Sequence, residues 1–230
     1  KRQTGFLTPK FESSSSLGDS LTIPYFKVIA QNKDFTLTPK IFNENEILMQ
    51  NEYRQVNKKS SHITDLSFKK SKNNSKSHFF SNTIANLDLS FFENSELEVN
   101  IEATSNNNYL KSHKIKSEIT NNNSLLNSFL LLKGSKKSLS VEAKVEAYEN
   151  LTKERSSDAY QFLLPSFELS NNFNNNLTLV SNGYNKNYDT NIFEKVLIND
   201  LEFSSNPKIT PSGFVNKFNL LLKNVTSEGE

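Results

Sequence analysis

Apolar and polar residues alternate with a period of two along much of the chain. Residues 96–104 place Leu97, Val99, Ile101 and Ala103 on one side and Glu96, Glu98, Asn100, Glu102 and Thr104 on the other. Residues 138–148 repeat the pattern. Leu139, Val141, Ala143, Val145 and Ala147 oppose Ser138, Ser140, Glu142, Lys144 and Glu146. Such alternation describes a strand with one apolar and one polar face. Coiled into a helix, 138–148 would scatter its apolar groups around the axis. By the same logic strands are expected over 19–29, 33–42, 46–56, 61–70, 76–92, 108–119, 124–133, 160–170, 176–184, 192–204 and 213–224. Asn-, Ser-, Lys- and Gly-rich clusters at 31–33, 43–45, 72–75, 106–108, 121–123, 133–136 and 171–176 separate them. These residue types suit tight turns. The connections are too short for crossover helices, so the expected fold is all-β, an antiparallel meander of about 10–12 strands.

So long a meander must hide one apolar face. Two packed sheets, a soluble barrel or a barrel in lipid would do so. Several alternating stretches run about 9–11 residues, the length of a tilted strand crossing a bilayer. The 35% hydrophobic content suits strands that turn half their residues to water, and 18 Phe and 7 Tyr are available for interfacial girdles. In 138–148 the charged residues all share the polar side, with Glu142, Lys144 and Glu146 as lumen-facing candidates. In 61–70, Asp65, Ser67 and Lys69 share parity with Ile63, opposite Leu66 and Phe68, which suits a large lumen or an extramembrane stretch.

Composition narrows the function. The 27 basic and 25 acidic side chains leave a charge of +2, which gives no electrostatic pull toward nucleic acid. There is no cysteine, hence no disulfide framework, thiolate zinc site or thiol nucleophile. No phosphate loop, nucleophile elbow or recognisable carboxylate pair appears, so neither an enzyme nor a cofactor is expected. His62, His78 and His113 lack metal spacing and are expected to be exposed. Lys58, Lys59, Lys69, Lys70 and Lys72 are expected in solvated loops, and Asp34 is expected to cap a turn.

The most specific stretch is 1–56. Gly5, Phe6, Leu7 and Pro9 are followed by Pro24, Tyr25, Ile29, Ala30, Asn32, Asp34, Thr36, Leu37, Thr38 and Pro39, then by Glu52, Tyr53 and Arg54. In order and spacing this resembles the start of the barrel domain in the LPS-assembly LptD family, also called the organic solvent tolerance family. The stretch departs from the family pattern at Phe26, Lys27, Gln31 and Asn45-Glu46. Residues 189–226 are similar to a later hairpin of that domain, and 57–188 resemble it in style alone.

The resemblance implies a translocon in the outer membrane of a Gram-negative-type bacterium that inserts lipopolysaccharide into the outer leaflet. Its partners would be an LptE-type lipoprotein plug and periplasmic bridge proteins reached through a jelly roll. On that expectation the chain is an internal piece of a longer protein. Residues 1–18 would follow the jelly roll, and 19–230 would form the first strands of a barrel not closed within this piece. Pro24 and Pro39 would map onto the family's lateral gate, where first and last strands meet. The alternatives are a porin-like outer-membrane channel and a soluble β-sandwich binding module.

Overall fold

The computed structural model describes residues 2–14, 17–42, 46–70, 75–120, 122–188 and 192–229. The chain is all-β. The strands are β1 (Gly5–Phe6), β2 (Lys10–Ser14), β3 (Gly18–Thr22), β4 (Tyr25–Ala30), β5 (Lys33–Phe42), β6 (Ile47–Val56), β7 (Ser60–Lys70), β8 (Ser75–Asn86) and β9 (Asn94–Thr104). After a single-turn helix α1 (Tyr109–Ser112) come β10 (Leu125–Lys136), β11 (Leu139–Asn150), β12 (Tyr160–Asn174), β13 (Leu177–Tyr188), β14 (Ile192–Ser204), β15 (Lys208–Ile209), β16 (Val215–Asn216) and β17 (Asn219–Gly229). Fifteen strands form one sheet, ordered β1-β4-β5-β6-β7-β8-β9-β10-β11-β12-β13-β14-β17, with the β2–β3 ladder joined through β5. β15 and β16 pair separately, and β1 and β17 are not bonded to each other. The sheet is therefore an open antiparallel meander, and among the described residues no second large sheet covers it.

Most expected strands appear within a few residues of their place. The stretch 19–29 is split into β3 and β4, with Pro24 in the break. Residues 108–119 are not a strand. Tyr109, Leu110 and Ile115 do not alternate; they are all buried, drawn inward from an irregular connection. One turn expectation fails: β10 continues through Lys133–Lys136 and turns only at Lys137, whose φ is +52°. The 171–176 turn is kept but is tighter, since β12 runs on to Asn174 and β13 starts at Leu177.

Two compact units emerge, the first comprising 1–85, 98–129 and 148–160 and the second 86–97, 130–147 and 161–230. The first unit holds the apolar core of Phe42, Leu48, Phe80, Tyr109, Leu110, Ile115, Leu126 and Leu151. In the second, β13 pairs with β14 from Leu177↔Phe203 to Tyr188↔Ile192, and β14 with β17 from Glu194↔Gly229 to Ser204↔Asn219.

The glycines of the second unit explain one failed turn. A Cβ on Gly134 would stand 2.7 Å from the Phe92 ring, so this glycine seats an aromatic side chain instead of making a turn. Gly183 is treated alike: its cross-strand partner Phe167 lays its ring there, 2.9 Å from a would-be Cβ. A bare backbone that gains an aromatic cover regains the contact surface a side chain would give.

Candidate functional site

In the first unit the registers divide β5–β8 into two faces. One carries Leu37, Pro39 and Ile41 on β5, Ile47 and Met49 on β6, Leu66 and Phe68 on β7 and Phe79 on β8. It is bare: Ile47 and Phe68 are both 46% exposed, and Phe79 43%. It bears no Asp, Glu, Lys or Arg except Lys33 and Lys70, the first and last residues of their strands. β9 continues the division, with Ile101 exposed and Asn100 and Thr104 buried.

The opposite face holds the charge. Asp34, Lys40, Glu52, Arg54, Asp65, Lys69 and Lys76 all point there, with Thr36, Thr38, Gln50, Ser67, His78 and Asn82. The connection 105–124 covers it. Tyr109, Leu110 and Ile115 pack into the core, and four polar tethers hold the rest. Glu118 Oε1 lies 2.9 Å from Arg54, Gln50 Nε2 donates to Lys116 O at 2.9 Å, Tyr109 OH and Ser67 Oγ share a bond of 2.6 Å, and Lys69 Nζ stands 3.2 Å from His113 Nε2. The root of the connection is pinned by Arg155, which donates to Thr104 O and Ser105 O, and by Asn107 donating to Lys153 O. The covered face therefore holds both the charged groups and the core residues Phe42, Leu48 and Phe80, while Leu66, Phe68 and Phe79 on the other face stay bare.

Under the connection lies a buried network. Gln50 Nε2 donates to both oxygens of Asp65 at 3.0 Å. Asp65 Oδ1 is 3.2 Å from His78 Nε2, at ion-pair distance but off hydrogen-bond geometry, and both side chains are fully buried. His78 Nδ1 bonds Ser67 Oγ at 2.5 Å. The residue types resemble a nucleophile–base–acid triad, but Ser67 is 1% exposed and its hydroxyl is also bonded to Tyr109. Closed off beneath the connection and hydrogen-bonded on both sides, the network orders the packing of this face.

Beside it, Lys69 pairs with Glu46 at 2.6 Å and lies over the Phe42 ring at 5.0 Å. His113 is buried and also bonds Tyr109 O at 3.1 Å. Burial, with Lys69 and Lys76 nearby, holds its imidazole down at about 4. Burial pushes the Tyr109 phenol up.

Several expectations are corrected here. His78 and His113 are buried, not exposed; His62 is half-buried on the bare face, bonded to Thr83 and Thr64. Lys69 is buried in an ion pair, not solvated, while Lys72 lies outside the described residues. Asp34 caps no turn: it sits in β5, 5% exposed, and accepts from Arg2. The whole network escaped the sequence reading. Its one visible signal was Asp65, Ser67 and Lys69 sharing parity opposite Leu66 and Phe68.

The family-motif residues fall on both faces. Asp34, Thr36, Thr38, Glu52 and Arg54 lie on the covered face, where Arg54 bridges Glu52 at 2.6 Å and Glu118. Tyr25, Leu37 and Tyr53 share the bare face, with Phe6 edge-on to Tyr25 at 5.0 Å between ring centres. Asn32 sits in the β4–β5 turn, donating to Asn57 Oδ1 at 3.0 Å, and Ile29 is 52% exposed near the end of β4.

The first seams have a defect built from three prolines. Thr22 pairs with Lys40 and Tyr25 with Leu37, so Ile23 and Pro24 continue that register opposite Pro39 and Thr38. Ile23 N donates to Pro39 O at 3.1 Å, but Pro39 has no N–H to return the bond. Leu7 N donates to Pro24 O at 2.9 Å, and Pro24 likewise has none to return. Gly5↔Phe26 and Lys10↔Thr22 differ by one step, a register shift that falls around Pro9. Two neighbouring seams thus each lose a donor, in rows one residue apart.

In the second unit Glu142 and Lys144 line an open cavity of about 230 Å³ with Leu131, Ser166, Tyr184 and neighbours, while Glu146 is buried and pairs with Lys144 at 2.6 Å. Leu139 and Val141 are half-buried and Val145 is 38% exposed.

Fold and charge pattern together define an all-β sheet whose strands β5–β9 keep their charged groups on a covered face and leave the other face bare and almost free of charge. No family model matches the chain. It is similar to LPS-assembly protein LptD of Pseudomonas putida W619, 42% identical over 60 residues, which are 26% of this chain and 6% of that protein. It is also similar to LptD of Pseudomonas aeruginosa UCBPP-PA14, 32% over 79 residues (34% and 8%), and of Idiomarina loihiensis, 42% over 55 residues (24% and 7%). The matched stretch spans 6 to 8% of the length of these relatives.

Proposed function

We propose that the chain is a wall segment of an outer-membrane barrel that assembles lipopolysaccharide into the outer leaflet, acting as conduit and not as catalyst. The carrying observation is the charge division of β5–β8. A Lys or Arg facing lipid at mid-membrane costs about 2–4 kcal/mol. The bare face avoids that cost between strand ends, and the covered face suits a wet lumen. Lys27 on β4 shares bare-face parity, opposite Phe35 near the strand's turn, where its stem can snorkel. The matches to LptD proteins supply the cargo and the membrane.

On this reading residues 1–18 lead in from a periplasmic jelly roll, 19–230 begin the barrel, and Glu142, Lys144 and Glu146 face its lumen. An LptE-type lipoprotein would plug the closed barrel, and bridge proteins would deliver the cargo. Pro24 and Pro39 would form the lateral gate. A missing ladder bond costs roughly 0.5–1.5 kcal/mol in water, but an unsatisfied backbone group in lipid costs several kcal/mol. Two such losses side by side mark where the wall parts most easily.

The test is the double substitution Pro24→Ala and Pro39→Ala in the full-length protein. Each Ala restores a donor, so the seam should tighten and surface delivery of lipopolysaccharide should slow, with greater envelope permeability. Unchanged delivery and permeability would remove the gate.

A further inference from the structure

The registers align four lysines that are far apart in sequence. Lys10 pairs with Thr22, Thr22 with Lys40, Lys40 with Leu48, Leu48 with Lys69 and Lys69 with Lys76. One transverse row of the covered face, six strands wide, therefore reads Lys-Thr-Lys-Leu-Lys-Lys. Like charges across strands destabilise a sheet, and neighbouring strands are only about 4.8 Å apart. The connection above brings two more cations, Lys114 and Lys116. Together with Lys10, Lys40, Glu12 and His113 they line a cavity of about 130 Å³. Since a water occupies about 30 Å³ of liquid, the cavity has room for more than one small polar group.

The countercharge is incomplete. Lys40 pairs with Glu12 at 2.6 Å and Lys69 with Glu46 at 2.6 Å. Lys10, Lys114 and Lys116 are exposed and have no ion-pair partner among the described residues. Glu12 is held below the usual carboxylate range by Lys40, with Lys114 and Lys116 adding to the field. Lys114 keeps a left-handed backbone, φ +51°, a conformation unfavourable for a side chain with a Cβ. Amines from an edge strand, an inner strand and a folded connection thus converge on one cavity with positive charge left over. Such a concentrated field attracts a compact, multiply charged anion.

We propose that this cavity binds a phosphate group, and specifically the phosphorylated sugar headgroup of lipopolysaccharide as it passes the first strands. The headgroup assignment rests on the conduit reading above; the phosphate chemistry rests on the lysines alone. Three ammonium groups can each donate to phosphate oxygens, and Lys side chains act there as mobile point charges.

The experiment uses the full-length protein in detergent, carrying Lys10→Gln, Lys114→Gln and Lys116→Gln together, with Lys58→Gln as a control on an exposed turn. Binding is measured for phosphorylated lipopolysaccharide, for the same lipid stripped of its phosphates and for inorganic phosphate. The proposal predicts that the triple variant loses about tenfold or more affinity for the phosphorylated lipid, that the stripped lipid is unaffected and that the preference fades with salt. Equal loss for both lipids, or no loss, overturns it. Inorganic phosphate bound as tightly as the lipid would overturn the headgroup assignment. The conduit reading fails separately, if cells depleted of the protein still display lipopolysaccharide.

Discussion

His113 shows how a single group couples the covered face to pH. Its ring is 3% exposed, Lys69 Nζ stands 3.2 Å from Nε2, and Ser112 Oγ and Tyr109 O take up Nδ1. Lys76 adds positive charge and Glu46 only partly offsets it. The folded pKa near 4 lies below the unfolded 6.5. Protonation therefore favours the undocked connection. The stabilisation is complete above pH 6.5 and drains away as pH falls from 6.5 to 4, by at most about 3 kcal/mol. Hydrogen-exchange protection of Ser112 and Ile115, whose amides bond Asn108 O and Leu110 O, should drop across that interval. His113→Asn should flatten the profile; a slope unchanged in that variant would assign it to another group.

Among the elements, the stretch 108–119 and Gly134 departed furthest from expectation, for opposite reasons. A period of two is a local signal, so long strands such as β5 and β14 are read directly. The connection has no period of its own. Its Tyr109, Leu110 and Ile115 follow no alternation, because their burial comes from a surface built by β5–β8. Gly134 sits in a turn-like cluster, and sequence carries no sign of Phe92 above it. Gly134→Ala should cost about 1–3 kcal/mol through overpacking, and Phe92→Leu should recover much of that loss. Thermal unfolding of the two variants and their combination checks the pairing. A mild Gly134→Ala whose cost Phe92→Leu leaves unchanged would show that the ring is not what excludes the methyl.

Across the whole molecule, a division of polarity was legible within single strands and its assembly was not. The reading of 96–104 placed Leu97, Val99 and Ile101 opposite Glu98, Asn100 and Glu102, and the structure keeps that split. Nothing in one strand reveals that Lys10, Lys40, Lys69 and Lys76 share a row, or that Asp65, Ser67 and His78 meet under Tyr109. Those depend on registers set over tens of residues. Pro24 and Pro39 lie within expected strands, and registers alone show that their missing donors fall on adjacent seams one residue apart.

The claim beneath the functional reading is that the bare face meets hydrocarbon. Spin labels placed singly at Leu66, Phe79 and Val99, and for contrast at Gln50, Asn82 and Glu98, test it in the full-length protein reconstituted in bilayers. Collision with oxygen, which concentrates in lipid, is compared with collision with a water-soluble nickel chelate. The account predicts oxygen-dominated relaxation at the first three sites and little oxygen contact at the other three. Nickel-dominated relaxation at Leu66, Phe79 and Val99 would contradict it.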